Sequence, residues 1–378
     1  MKELDKEYIN CKLESFEWAK TLTKLRNLFF LLIFLIVLIC EIFLLDPIIT
    51  WVILPLDGLF ILILLFGAKY LFDHSRILYF GKKRESKNVI ATIQAKDLHP
   101  NRPVIIFSAH HDSVSSLFPT KFFMILILSG VLLLLFFIII NVILSIWSII
   151  AIFTDISIGI VYIIIRNISL VVGIIILIEL FITFFNRRTN QSIGSVDNAS
   201  GVAVLLELAK LIKKNPLERT DVIFLWAGAE EMGIWGSKQY CVKHFKELEH
   251  DYDIDKSYNI NVDMVGTYIG LVEETGLIKR KQLNENLNDV LKASDTHQMI
   301  PSKKSKLALG SGSDHLAFRI FAKKAEKNGF QISCFTSKKD GKYIHSKKDI
   351  PDLCSAENLN GCIDICYNAI KSLDLRVE

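Results

Sequence analysis

Two kinds of pattern share this chain. Residues 28–72 and 122–185 are apolar on nearly every face, whereas the rest alternates apolar and polar positions at strand or helix spacing. Spanning a bilayer takes about 20 apolar residues. Residues 28–45 make one such span; after the Asp46-Pro47 break, 51–71 make a second, with Pro55 and Asp57 near its start. The later stretch fits two long helices broken at Thr154-Asp155, or three short ones with a further break at Arg166-Asn167. Hydropathy leaves both open. Elsewhere, 88–94 (NVIATIQ) is short and β-branched, and 103–108 (PVIIFS) and 220–226 (TDVIFLW) are continuous apolar runs suited to strands buried on both faces. A further strand is expected over 257–263. Helices are expected over 201–212, 232–245 and 356–372, the last capped by Ser355. This alternation predicts an α/β fold: a mainly parallel mixed sheet with helices on both faces.

Composition agrees with a membrane part, since 51% of residues are hydrophobic. Neither apolar stretch resembles a cleaved signal peptide: the first follows a mostly polar lead, and no small-residue cleavage site comes after it. The net charge of +4 is spread out, without the basic, aromatic-interleaved patch of a nucleic-acid binder. The seven cysteines lack paired zinc-site spacings and read as reduced core residues in a reducing compartment. Lysines and arginines flank the long polar segments: Lys2 to Arg26 before the first span, Arg76 to Lys87 after the second, Lys121 and Arg187-Arg188 around the later stretch. The short turns at Asp46-Pro47 and Asp155 carry none. The positive-inside bias makes the protein a multi-pass integral membrane protein with its polar domain cytoplasmic. Arg166 and Glu179 fall inside the last span, as functional groups or as partners within a helix bundle.

In such sheets ligands bind beyond the carboxyl ends of the strands. The strand ends here carry His110-His111-Asp112, Glu230-Glu231 and Asp263; Asp197-Asn198 precedes a helix, and His345 comes late. Any one of these reads equally well as a loop hydrogen bond, a helix face or an N-cap. Brought to one edge, the carboxylates would repel unless cations bridged them. Imidazole with carboxylate oxygens suits zinc, whose catalytic sites keep a position open for water.

The order and context of these residues resemble the co-catalytic di-zinc aminopeptidases, the family-28 metallopeptidases, which also include glutamate carboxypeptidases and glutaminyl cyclases. The carriers are His110-x-Asp112, the GSVDNASG run at 194–201, AEEMG at 229–233, NVDMVG at 261–266 and His345-x-x-x-Asp349, within a resemblance covering 76–114 and 187–372. It implies two zinc ions per chain, bridged by Asp197, with Glu231 and His345 on one and His110 and Asp263 on the other. Glu230 would be the general base, and the Asp197-Asn198 bond would be cis. Asp112, the second carboxylate of the catalytic set, and Asp349 would orient the ligand imidazoles. Where relatives have an oxyanion-stabilising tyrosine immediately before the last histidine, this chain has Ile344, with Tyr343 one earlier. Gly312-Ser313-Asp314-His315 resembles a family loop near the pocket, making His315 a candidate substrate contact and Asp314 structural. The expected activity is hydrolysis of N-terminal peptide bonds of peptide substrates by a bilayer-anchored enzyme. Glutaminyl cyclase or carboxypeptidase activity, or a non-catalytic membrane scaffold, are the alternatives. The oligomeric state is open.

The resemblance also constrains topology. If His110 and Asp197 serve one site, the apolar stretch between them crosses an even number of times, as two helices of about 30 residues and about 45 Å each. The expected plan is four membrane helices in two hairpins. A cytoplasmic segment (1–26) leads to a first hairpin (27–72) and the first part of the peptidase domain (73–118). An inserted hairpin (119–186) separates that part from the second (187–378).

Overall fold

The computed structural model describes residues 1–19, 21–42, 82–154, 159–275, 281–282, 284–301, 305–306, 312–377 and a few positions between 51 and 62. A short helix α1 (Lys2–Lys6) leads into β1 (Cys11–Ala19) and the apolar helix α2 (Thr21–Ile42). Then come β2 (Lys83–Ile93), β3 (Val104–His110) and the two-residue β4 (Ser115–Ser116). The long helices α3 (Thr120–Thr154) and α4 (Ile160–Phe185) follow, and β5 (Arg188–Thr189) pairs back onto β4. The remainder is α5 (Ser200–Lys214), β6 (Asp221–Ala227), α6 (Trp235–Asp251), β7 (Tyr258–Val262), α7 (Glu285–Ala293), α8 (His315–Lys324), the strand Gln331–Phe335 and α9 (Ala356–Asp374).

Six strands form one sheet in the order β1, β2, β6, β3, β7 and Gln331–Phe335. The last four are parallel; β2 is antiparallel to β6 and to β1. Every residue of β3 and β6 is buried, as their unbroken apolar sequences require. On one face Val204, Leu208 and Ile212 of α5 and Ile365 and Ile370 of α9 pack on Phe107 and Phe224. On the other, Tyr240 and Phe245 of α6 and Phe318 of α8 pack on Ile106 and Leu225. The seven cysteines are free thiols, four of them buried.

Two expectations change. Residues 11–19, read as part of a separate N-terminal segment, are the edge strand of the sheet, in unbroken register from Cys11 opposite Ala91 to Ala19 opposite Lys83. Among the described residues two helices, not four, are long and apolar enough to cross a membrane: α3 with 35 residues and α4 with 26. The apolar part of α2, Leu31–Ile42, is shorter, and most of the span expected over 51–71 lies outside the described residues. Arg166 sits within α4 without breaking it. The two long helices run antiparallel, joined by Ser129 Oγ donating to Glu179 Oε1 (2.9 Å), Asn141 Nδ2 to Ser169 Oγ (3.3 Å) and Ser148 to the Tyr162 hydroxyl (2.5 Å). Helix α2 packs on them through Phe34, Val37 and Leu38, against Phe137, Val172 and Ile176.

Candidate metal centre

The site gathers at the carboxyl edge of the parallel strands. β3 ends in His110, whose Nδ1 donates to the backbone carbonyl of Asp112 (2.9 Å). A carbonyl only accepts, so Nδ1 carries a proton and Nε2 is the ring atom left to face the carboxylates. Nε2 lies 3.1 Å from Asp197 Oδ1 and 3.5 Å from Asp263 Oδ1.

Asp197 stands in a wide turn, Ser195–Ala199, entered through Gly194 at φ +73°. The Asp197-Asn198 peptide is cis. The Asn198 side chain binds this turn to the end of β7. Its Nδ2 donates to the Val262 carbonyl (2.9 Å), and its Oδ1 accepts from the backbone N–H groups of Gly201 (3.0 Å) and Met264 (3.1 Å). Only glycine fits at 201, where a Cβ would lie 2.3 Å from the Val262 carbonyl oxygen. Asp263 follows at once on this strand end.

The Glu230-Glu231 turn is held by Asp112, whose Oδ1 accepts from Glu230 N–H (2.9 Å) and Oδ2 from Glu231 N–H (3.2 Å). Glu231 Oε1 reaches His345 Nε2 (2.9 Å), which also lies 3.2 Å from Asp197 Oδ2. Asp197 thus aims one oxygen at each histidine. Two overlapping groups result, His110-Asp197-Asp263 and Asp197-Glu231-His345, each with its ligand atoms within 4.8 Å of one another.

This donor set fits zinc. Asp263 Oδ1 is buried without a hydrogen bond, 3.5 Å from His110 Nε2, and the carboxylates of Asp197 and Asp263 converge on that nitrogen. A cation between them would give the orphaned oxygen a partner and offset the mutual repulsion of the carboxylates. Burial pushes the Asp197 carboxyl up, but the two imidazoles outweigh it and hold the group well below the usual carboxylate range. Glu230 ligates nothing in either group. Burial, with the charges of Glu231, Asp314 and Asp263, pushes its carboxyl well above the ordinary value against the pull of His110.

The flanking carboxylates have further partners. Asp112 accepts from His110 through its backbone carbonyl, keeps Oδ1 3.8 Å from His110 Nδ1, and holds the glutamate turn with its carboxylate. Asp349 accepts from the N–H groups of Val196 (2.6 Å) and Asp197 (3.3 Å), so it fixes the turn carrying Asp197 and no imidazole. His315 begins α8 with its ring buried and neither nitrogen hydrogen-bonded, and burial drives its pKa down to about 4. Asp314 beside it is fully buried, and its carboxyl is pushed up to about 7 by burial. Tyr343 is half-buried, with the Lys342 ammonium 4.6 Å above its ring. His111 turns away, its Nε2 bonded to the Lys87 carbonyl (2.9 Å). Two contacts had no signal in the sequence: Arg188 donates to the Glu231 carbonyl, and Thr120 Oγ1 lies 3.5 Å from His345 Nδ1.

A parallel-sheet domain with paired carboxylate–imidazole clusters beyond its strand ends is an architecture of metal-dependent hydrolases. Residues 183–370, just under half of the chain, match the sequence model of peptidase family M28. Aminopeptidase YwaD of Bacillus subtilis (strain 168) is 36% identical over 127 residues, 33% of this chain and 26% of that protein. Aminopeptidase NAALADL1 of Rattus norvegicus is 28% identical over 181 residues, 41% of this chain and 24% of that protein. The chain spans about a quarter of the length of these relatives. The solved aminopeptidase of Aneurinibacillus sp. strain AM-1 is 21% identical with a TM-score of 0.46, over 76% of this chain and 48% of that one.

Proposed function

We infer that the protein is a membrane-anchored, zinc-dependent aminopeptidase that hydrolyses N-terminal peptide bonds with two zinc ions per chain. The observation that carries this reading is the placement of Asp197, whose two oxygens face His110 with Asp263 on one side and His345 with Glu231 on the other. Zinc bound there would polarise a peptide carbonyl and acidify a water. Glu230, adjacent to a ligand but free of both groups, accepts the proton from the attacking water and returns it to the leaving amine. Asp112 holds the Glu230-Glu231 backbone so that one carboxylate ligates while its neighbour moves protons.

Anchoring is supported by how α3 and α4 are exposed. Only 11% and 17% of their most apolar windows is buried, whereas a soluble protein's core helix would be mostly buried. Their position in mid-chain also separates them from a signal sequence. The flanking Lys121 and Arg187-Arg188 favour the cytoplasmic side for the catalytic domain.

The purified chain should carry about two zinc ions and cleave amino-acyl anilides, with activity lost on chelation. Glu230→Gln should lower kcat by about 10²-fold or more while zinc content holds. Unchanged turnover in that variant would refute the assignment of the base.

A further inference from the structure

We propose that the substrates are peptides whose free N-terminus is held at the membrane surface, such as the short tail of a membrane-embedded segment. This rests on the aminopeptidase and membrane readings above and adds the side from which substrate arrives. Both feet of the α3–α4 hairpin stand on the sheet edge that carries the metal ligands. One follows β3 and His110; the other leads from β5 into the turn of Asp197. The feet are fastened to the His345 loop, since Ser116 N–H donates to the His345 carbonyl (3.0 Å) and Thr120 Oγ1 lies 3.5 Å from its ring. Among the five candidate ligands His345 keeps the most side-chain exposure, 27% against 1–11% for His110, Asp197, Glu231 and Asp263. The open side of the centre is therefore the side where the hairpin begins.

The lipid boundary lies close to that point. From Thr120 to Phe122 the helix rises about 3 Å, and from there outward-facing apolar side chains run on through Ile125 and Leu128, matched on α4 by Phe181 and Phe185. On the catalytic side of the boundary, Leu117 and Ile193 are also exposed, at 59% and 65%. Exposed cations flank this junction in sequence: Lys121, Arg187 and Arg188 at the helix ends, and Lys342, Lys347 and Lys348 on either side of His345. Long basic side chains beside apolar ones match an anionic headgroup layer, which is about 5–8 Å deep on each side of the hydrocarbon. The mouth of the site then opens within that layer. A peptide from bulk water must enter between domain and lipid, whereas a tethered N-terminus is delivered there at high effective concentration.

The test places the full-length protein in vesicles of phosphatidylcholine and phosphatidylglycerol. Its substrates are one N-terminal sequence, either free or joined by linkers of about 4, 8, 16 and 32 flexible residues to a single apolar helix. About four extended residues reach roughly 14 Å, so the short linkers should already be cleaved. Cleavage should peak at short length and fall with longer linkers, and kcat/KM for the free peptide should be at least about 10-fold lower. All anchored peptides share the same surface enrichment, so the length dependence reports the height of the site. Equal cleavage of free and anchored peptides, or cleavage of long linkers with short ones spared, would overturn the proposal and leave the aminopeptidase reading intact. Absence of zinc-dependent cleavage of any peptide would overturn both.

Discussion

Asp349 illustrates how a residue outside the ligand set can govern it. Its carboxylate receives the backbone N–H groups of Val196 and Asp197, and so sets where the latter's side chain stands between the two histidines. Asp349→Ala removes both acceptors; zinc affinity should drop about 10- to 100-fold, read by competition against a chromogenic chelator, with the unfolding midpoint of the metal-free protein moving far less. That His110, Asp197, Glu231 and Asp263 meet was foreshadowed in sequence, because each lies near the end of a recognisable strand or the start of a helix and parallel sheets send such ends to one edge, whereas His345 was placed beside them by the family resemblance alone. What Asp112 and Asp349 bond to was not legible. The family resemblance implied imidazole partners, and Asp112 does stand 3.8 Å from His110, but a carboxylate's acceptor lone pairs also go to whichever N–H groups the folded turn leaves unpaired. His315, whose motif resembles a pocket loop, is the first residue of α8 and its ring is buried.

Among the elements, β1 escaped sequence reading because its inward position is charged. In CKLESFEWA the residue buried mid-strand is Glu14, so the period-two apolar signal is interrupted. Glu14 is met by Lys12 (2.7 Å), and by Lys243 (3.0 Å) and His244 (2.9 Å) of α6, which fasten the edge strand to the helix behind it. Burial raises this carboxyl, but the hydrogen bonds from Lys12, His244 and Lys243 outweigh burial and hold it down to about 2, against an ordinary 4.5. The unfolded chain takes up the proton at the higher pH. The fastening is therefore fully present above about pH 4.5 and is lost as pH falls towards 2. Glu14→Gln should lower stability at neutral pH by about 1–3 kcal/mol and flatten the acid limb of the stability profile, measured by urea denaturation between pH 7 and pH 3. The strand Gln331–Phe335 and helix α8 were missed for a plainer reason: QISCF is only five residues long and buries Ser333 and Cys334 beside its apolar members. The strands β3 and β6 and the helices α5 and α9 were readable from their unbroken apolar runs or amphipathic spacing.

For the whole molecule, sidedness is the property the charge pattern addresses most directly. On the membrane reading proposed above, the described strands on either side of α3 and α4 join one sheet and so would share a compartment, and the flanking lysines and arginines would place it in the cytoplasm. A tag placed after Glu378 should resist protease added to intact cells and become cleavable once the membrane is permeabilised; digestion in intact cells would reverse the orientation. The antiparallel pairing of β4 with β5 has a further consequence, for biogenesis. His110 is synthesised before the α3–α4 hairpin, and Asp197, Glu231, Asp263 and His345 after it. Until the hairpin has doubled back and closed this clasp, the group His110-Asp197-Asp263 is incomplete. On the membrane reading, a misthreaded nascent chain would leave His110 on the far side of the bilayer from Asp197 and Asp263, so a complete pair of ion-binding groups would report that the hairpin had inserted correctly.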